Sequence, residues 1–113
     1  MTCLFCQIAE GKIPADIIYQ DDEVLAFRDI HPQAPQHILI IPKRHYTSLN
    51  SFEAGDAELL GRLMLTARQI ASDLGVAEDG YRININTNDH GGQTVHHLHI
   101  HLLAGRQMMW PPG

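Results

Sequence analysis

His96-His97-Leu98-His99-Ile100-His101-Leu102-Leu103 alternates imidazole with aliphatic side chains, and that alternation decides the fold. Successive side chains of an extended strand point to opposite faces, so His97, His99 and His101 share one face and Leu98, Ile100 and Leu102 the other. The aliphatic face requires a core to pack against. With a rise of about 3.3 Å per residue, neighbouring histidines stand about 6.5 to 7 Å apart at Cα, close enough to share one ligand or one hydrogen-bond network.

Two chemistries use such a row. An imidazole attacks phosphorus when its far nitrogen is free and its near N–H is held by an acceptor, which fixes tautomer and direction. Alternating histidines can instead chelate zinc, as three-histidine catalytic sites do. The inert alternative is a row of surface or core histidines, but each ring has two nitrogens to satisfy, which makes three in strict alternation poor filler. The segment just before the row, Gly91-Gly92-Gln93-Thr94, brings flexible backbone and exposed amides beside it, as a site for an anion requires; a Gly-Gly pair alone marks only a turn. Asn86 adds a side-chain amide able to donate to phosphate oxygen or hold a ribose. Asp29 can accept hydrogen bonds from ribose hydroxyls, or serve simply as a turn or cap residue.

Working outward, residues 3–10 read as a short helix stopped by Gly11 and the turn around Pro14. Residues 17–20 and 24–28 read as strands joined by Asp21-Asp22-Glu23, residues 29–36 as a Pro-rich loop, and residues 37–42 as an internal strand that Pro42 ends because it has no N–H to donate. Leu59, Leu60, Leu63, Met64, Ala67, Ile70, Ala71 and Leu74 recur at helical spacing up to Gly75. Residues 82–87 alternate as a half-buried strand, residues 88–94 form a loop, and residues 96–103 form the last strand. The fold class is α+β: a mostly antiparallel five-stranded sheet with one long and one short helix.

Composition narrows the function. A chain of 113 residues with 44% hydrophobic side chains is one domain, residues 1–113. The net charge of −5, with no Lys/Arg cluster, argues against binding along a nucleic acid. The longest aliphatic run, Ile38 to Ile41, is far too short for a membrane helix, and no basic segment leads into an apolar stretch, so a soluble cytoplasmic protein is expected. Two cysteines, Cys3 and Cys6, are too few for a disulfide framework and fit a reducing compartment. Met108, Met109 and Trp110 in the tail, residues 104–113, are costly to leave in water, and the tail is expected to dock at or across a subunit interface.

His97-Leu98-His99-Ile100-His101-Leu102-Leu103 resembles the signature of the histidine triad superfamily, His-φ-His-φ-His-φ-φ with φ apolar. Asp29-Ile30-His31-Pro32-Gln33-Ala34-Pro35-Gln36-His37, Gly91-Gly92-Gln93-Thr94-Val95 and the ending 105–113 resemble its Hint branch, so the likeness spans essentially the whole chain. The resemblance implies a cytoplasmic purine nucleoside phosphoramidase, a homodimer whose two sheets join, which needs no metal for catalysis. It implies that His99 is the nucleophile, forming a transient nucleotidyl-histidine. His101 would contact phosphate and leaving group, and His97 and His37 would complete a relay behind the nucleophile. Asn86, Gly92, Gln93 and Thr94 would surround the phosphate, Asp29 and Ile30 the ribose, and Phe5, Ile8, Ile13, Phe27 and Ile30 the base; Trp110 is counted with the substrate-binding residues. For the five apolar residues plain core packing is the competing reading. His96, where the family commonly has Tyr or Phe, and His90 are departures near the leaving-group side.

Cys3-Leu4-Phe5-Cys6 taken alone is a redox pair, two buried small residues or half of a zinc site. By resemblance, some superfamily members hold zinc between such a pair, a histidine after a Pro-Lys-x-His turn and the first triad histidine; the matching positions here are Cys3, Cys6, His45 and His97, which implies a structural zinc. Two further functions compete. The dinucleoside polyphosphate hydrolase branch carries Gln in place of the third motif histidine, which His101 argues against, and a nucleotide-binding interaction protein would keep the fold with incidental catalysis.

Overall fold

The computed structural model describes residues 3–113. Five strands, β1 (Ile17–Gln20), β2 (Val24–Arg28), β3 (Gln36–Pro42), β4 (Tyr81–Ile85) and β5 (Ile100–Ala104), form one sheet in the order β1-β2-β3-β5-β4, with every neighbouring pair antiparallel. The α-helices are α1 (Leu4–Ala9), α2 (Ala57–Asp73) and a single turn, α3 (Asn88–Gly91), where the sequence suggested only loop; two short 3-10 turns, Leu49–Ser51 and Ala54–Asp56, lead into α2. Among the described residues, no helix is long and apolar enough to cross a membrane.

The two faces of the sheet are closed differently. Val24, Ala26, Ile38, Ile40, Ile100 and Leu102 point to one side and pack with Leu98 against Leu63, Ala67, Ile70 and Ala71 of α2. That helix stops where expected, Gly75 adopting φ +74° so that the Gly75 and Val76 amides can reach the carbonyls of Ser72 and Ala71. Met64, counted on the buried face from its spacing, sits at the edge of the apolar stripe and is substantially exposed. On the other side, Leu25, Phe27, Leu39 and Ile41 pack against Phe5 and Ile8 of α1. β2 and β3 are thus apolar on both faces, the condition for internal strands.

The last strand is shorter than its alternation suggests. β5 pairs with β3 only as far as Ile100 opposite Ile40. Two residues further lies Pro42, which has no N–H to give, so the ladder stops and residues 97–99 run on outside it. Other bonds hold them extended: the Leu98 amide donates to the Tyr46 carbonyl at 2.7 Å, and the His97 ring donates to the Pro42 carbonyl at 2.8 Å. The alternation of faces survives, with Leu98 in the α2 core and His99 and His101 on the opposite side.

The β1–β2 turn is fixed electrostatically. Asp21 Oδ1 accepts the amides of Glu23 and Val24, both at 2.8 Å, and Arg62 of α2 donates to Asp21 at 2.8 Å and Glu23 at 2.6 Å, stapling helix to hairpin. Desolvation opposes ionisation of Asp21, but the bonds from Tyr19, Glu23 and Val24 and the Arg62 charge outweigh it and hold the carboxyl down to about 2. Its stabilising contribution is therefore complete above the ordinary carboxylate range and lost as pH falls towards 2. Asp21→Ala is expected to lower stability by about 2 kcal/mol at pH 7, read as a lower urea midpoint, and by much less near pH 2.

Candidate active site

On the face opposite α2, a cavity of about 630 Å³ opens between α1, the loop after β2 and the last strand. Phe5, Ile8, Ile13 and Phe27 make its apolar wall, Asp29, Ile30 and Thr94 its rim, and His37, His99 and His101 its polar end. Phe5, Ile8 and Phe27 are also core residues, packed with Leu25, Leu39 and Ile41. Ile30 is exposed at the mouth.

Each buried imidazole has one N–H and one lone pair, and the surroundings settle which nitrogen carries which. His99 Nδ1 lies 2.7 Å from the backbone carbonyl of His97, so Nδ1 carries the proton and Nε2 keeps its lone pair, with no protein partner among the described residues. His37 Nδ1 accepts the Gln33 amide at 3.0 Å, so its proton sits on Nε2, which donates to His101 Nδ1 at 2.9 Å. His101 in turn must carry its proton on Nε2, a donor with no partner among the described residues. This relay depends on position in the sheet: His101 of β5 is opposite Leu39, two residues along β3 from His37, so the two rings meet diagonally on one face.

Asp29, His37 and His101 also place one ligand atom each within 4.8 Å of one another. Their bonding makes them a relay rather than a cation site: with Nδ1 of His37 occupied by the Gln33 amide, Nε2 cannot become a ligand without forming an imidazolate. Asp29 spends Oδ1 on the His31 amide at 2.8 Å and keeps Oδ2, 3.6 Å from His37 Nε2, on the cavity side.

Electrostatics keep the rings neutral. Burial pushes His37 down, with Asp29 opposing, and burial followed by the His99 and His37 rings pushes His101 down to about 4. Burial likewise lowers His99, against the carbonyl bond and Asp29.

Several expected contacts are placed otherwise. His97 contributes its carbonyl to the nucleophile, while its ring turns away from the cavity and towards the cysteines, so the side chain takes no part in the relay. Gln93 is a brace: Oε1 accepts the Asn88 amide, and Nε2 donates to the carbonyls of Thr47 and Val95, so its amide has no N–H left for a phosphate. Gly92 ends α3 at φ +76° and gives its amide to Asp89. Neither lines the cavity, nor does Asn86, although Asn86 accepts from Asn84 through Oδ1 and its side-chain N–H groups have no partner among the described residues. Trp110 is 81% exposed and lines no part of the cavity in its own chain. Missed by the sequence reading was the Gln33 amide, which sets the relay but has no side-chain signature.

Cys3, Cys6, His45 and His97 converge behind the α1 wall. Cys3 Sγ and Cys6 Sγ lie 3.3 and 3.5 Å from His97 Nδ1, Cys6 Sγ lies 3.3 Å from His45 Nδ1, and the two Nδ1 atoms are 3.2 Å apart. Tetrahedral zinc, with bonds of about 2.0 to 2.3 Å, spaces its ligand atoms about 3.3 to 3.8 Å apart. His97 Nε2 donates to the Pro42 carbonyl, which leaves its Nδ1 lone pair to the centre, and His45 Nε2 lies 3.5 Å from Thr47 Oγ1, on the far side of the ring from the cluster. The donor set fits the metal.

A family model described as the HIT domain matches residues 10–108. The chain belongs to the HIT domain family. A purine nucleoside phosphoramidase of Escherichia coli K12 is 53% identical to this HIT protein over 105 residues, 93% of this chain and 88% of that protein. The crystal structure of a HIT family hydrolase from Legionella pneumophila superposes with a TM-score of 0.98 at 53% identity, covering 99% of this chain and 100% of that one. A histidine triad protein from Clostridium difficile gives 0.92 at 42% identity, covering 95% and 93%.

Because His101 protonates in the fold only near pH 4 but near 6.5 once unfolded, the unfolded chain binds more protons between those values, and stability falls as pH drops through them. The urea midpoint is expected to decline between pH 6.5 and 4 in the native protein, and less steeply in His101→Gln. Equal slopes would show that His101 is not held neutral.

Proposed function

We propose that this HIT protein is a hydrolase of purine nucleoside phosphoramidates, releasing a nucleoside monophosphate and an amine through a covalent nucleotidyl-histidine. The observation that carries the reading is His99: its Nδ1–H is tied to the carbonyl of His97, so the lone pair is on Nε2, in a ring that lines the cavity. Attack by Nε2 on phosphorus breaks the P–N bond, and water then cleaves the P–N bond to His99; two moderate displacements replace one difficult one. His101 Nε2–H, oriented through His37 and the Gln33 amide, is the donor for phosphate oxygen and leaving group. The apolar wall of Phe5, Ile8, Ile13 and Phe27 takes the base, Asp29 Oδ2 the ribose and Thr94 the phosphate, which Asn86, outside the cavity lining, would reach only through its side-chain N–H groups. The purine and the P–N bond are carried over from the name of the Escherichia coli relative.

The enzyme acts in this reading as a cytoplasmic homodimer, a compartment that suits two free cysteines. Arg82 of β4 holds the Met109 carbonyl at 2.9 Å, and beyond it Met109 and Trp110 stand exposed, so substrate contact by Trp110 would come from a second copy. Catalysis needs no metal; Cys3, Cys6, His45 and His97 would hold a structural zinc.

With an adenosine phosphoramidate carrying a fluorescent amine, the native protein is expected to turn over. His99→Ala should lose on the order of 10³-fold or more in kcat while keeping its fold. Adenosine monophosphate binding without turnover by the native protein would replace the enzyme with a binding protein. Protein purified without chelator should carry zinc at about one per chain by elemental analysis, in line with one tetrahedral four-ligand site, and Cys3→Ser/Cys6→Ser none. Metal-free native protein would remove the zinc assignment.

A further inference from the structure

The cysteines flank Phe5 on α1, and the Phe5 ring stands edge-on to the His99 imidazole, centroids 5.1 Å apart at 88°. The same ring meets Phe27 at 5.5 Å and His97 at 5.9 Å. One support of the nucleophile is therefore a side chain on a helix anchored at its first turn by Cys3 and Cys6. The other support is the carbonyl of His97, whose ring is in the same cluster. His45 lies three residues beyond Pro42, the last residue of β3, whose carbonyl fixes the remaining nitrogen of His97. Both the ring face and the Nδ1–H of His99 thus trace back to the same four side chains.

α1 has six residues, too few for a helix to hold itself in water, so its place depends on the apolar contacts of Phe5 and Ile8 and on the cluster. Without a cation, the cluster has only weak sulfur–nitrogen contacts of 3.3 to 3.5 Å to offer. We propose that the Cys3–Cys6–His45–His97 cluster is a positioning device for the nucleophile: zinc held there locks α1 and His97 together, and with them the orientation of His99 and the wall of the base cavity. Phe5 and His97 are then positioning residues, acting through the ring contact and the carbonyl bond. The inference rests on the proposed reaction at His99 and on metal in the cluster.

The test compares the full chain in three forms: zinc-loaded, stripped by chelator under reductant, and His45→Gln, a change at an exposed ligand that lines no part of the cavity. Three quantities are read: zinc per chain, the imidazole ¹⁵N pattern of His99, and the Kd for adenosine monophosphate. The loaded chain should show His99 as a single Nδ1–H tautomer. Stripping should mix the tautomers and weaken nucleotide binding about tenfold, a misplacement effect well within what small shifts of a site produce. His45→Gln should behave as the stripped form and recover when zinc is raised. If stripping unfolds the chain, recovery of the variant decides the matter. An unchanged ¹⁵N pattern and Kd on metal loss, no recovery of the variant, or failure of the native chain to take up zinc would overturn the proposal. No readout uses turnover, so a loaded chain that does not hydrolyse phosphoramidates would sink the proposed function and leave the positioning result standing.

Discussion

A neutral imidazole taken out of water has to match one N–H and one lone pair, and it cannot use the same partner for both. Four histidines on one face of this sheet obey that constraint, and most of the site follows from it. His97 gives its N–H to Pro42 and offers its lone pair to the cysteines; His99 gives its N–H to the carbonyl of His97 and keeps its lone pair free. His37 takes a proton from a backbone amide and passes its own towards His101. Three of the partners are backbone groups, which do not titrate, so the tautomers hold for as long as the segments that carry those groups stay in place.

The backbone that supplies these partners is held by a sheet buried on both sides. α2 closes one face through an aliphatic stripe, and the smaller α1 closes the other next to the cavity. Pro42 belongs to both arrangements. Its missing N–H ends the β3–β5 ladder, which frees residues 97–99 from strand pairing, and its carbonyl then takes the ring of His97. Had the ladder continued, the Pro42 carbonyl that now orients His97 would have been spent on it.

Much of this was legible in the sequence, because periodicity and residue chemistry are local. The strands at 17–20 and 24–28, the helix stop at Gly75, the internal character of β3 and the shared face of His99 and His101 were all readable from spacing. The end of β5 was not, although Pro42 was recognised as a terminator: its effect falls on a strand far away in sequence. The bonds of the Gln93 side chain were not legible for a related reason, since the three backbone groups that claim it come from separate segments. The Gln33 amide could not be read at all, every non-proline residue having one. The convergence of Cys3, Cys6, His45 and His97 came from family resemblance, and the distances among them from the fold.

At the root of the tail, Gly105 adopts φ +98° and lies so close to Pro35 that an added Cβ would sit 2.8 Å from the proline Cβ. The next residue, Arg106, gives its Nε–H to the Gln33 carbonyl at 3.0 Å. The chain leaving β5 is thereby bolted to the loop whose amide sets the His37 tautomer, much as the chain entering at Cys3 is bolted to α1. For anyone attaching a fluorophore, a surface linker or a fusion partner, neither Cys3 nor Arg106 marks a mechanically silent boundary. Pull applied at either would be felt among the histidines, whereas the exposed turn at 77–79, between α2 and β4, offers an attachment point outside both supports.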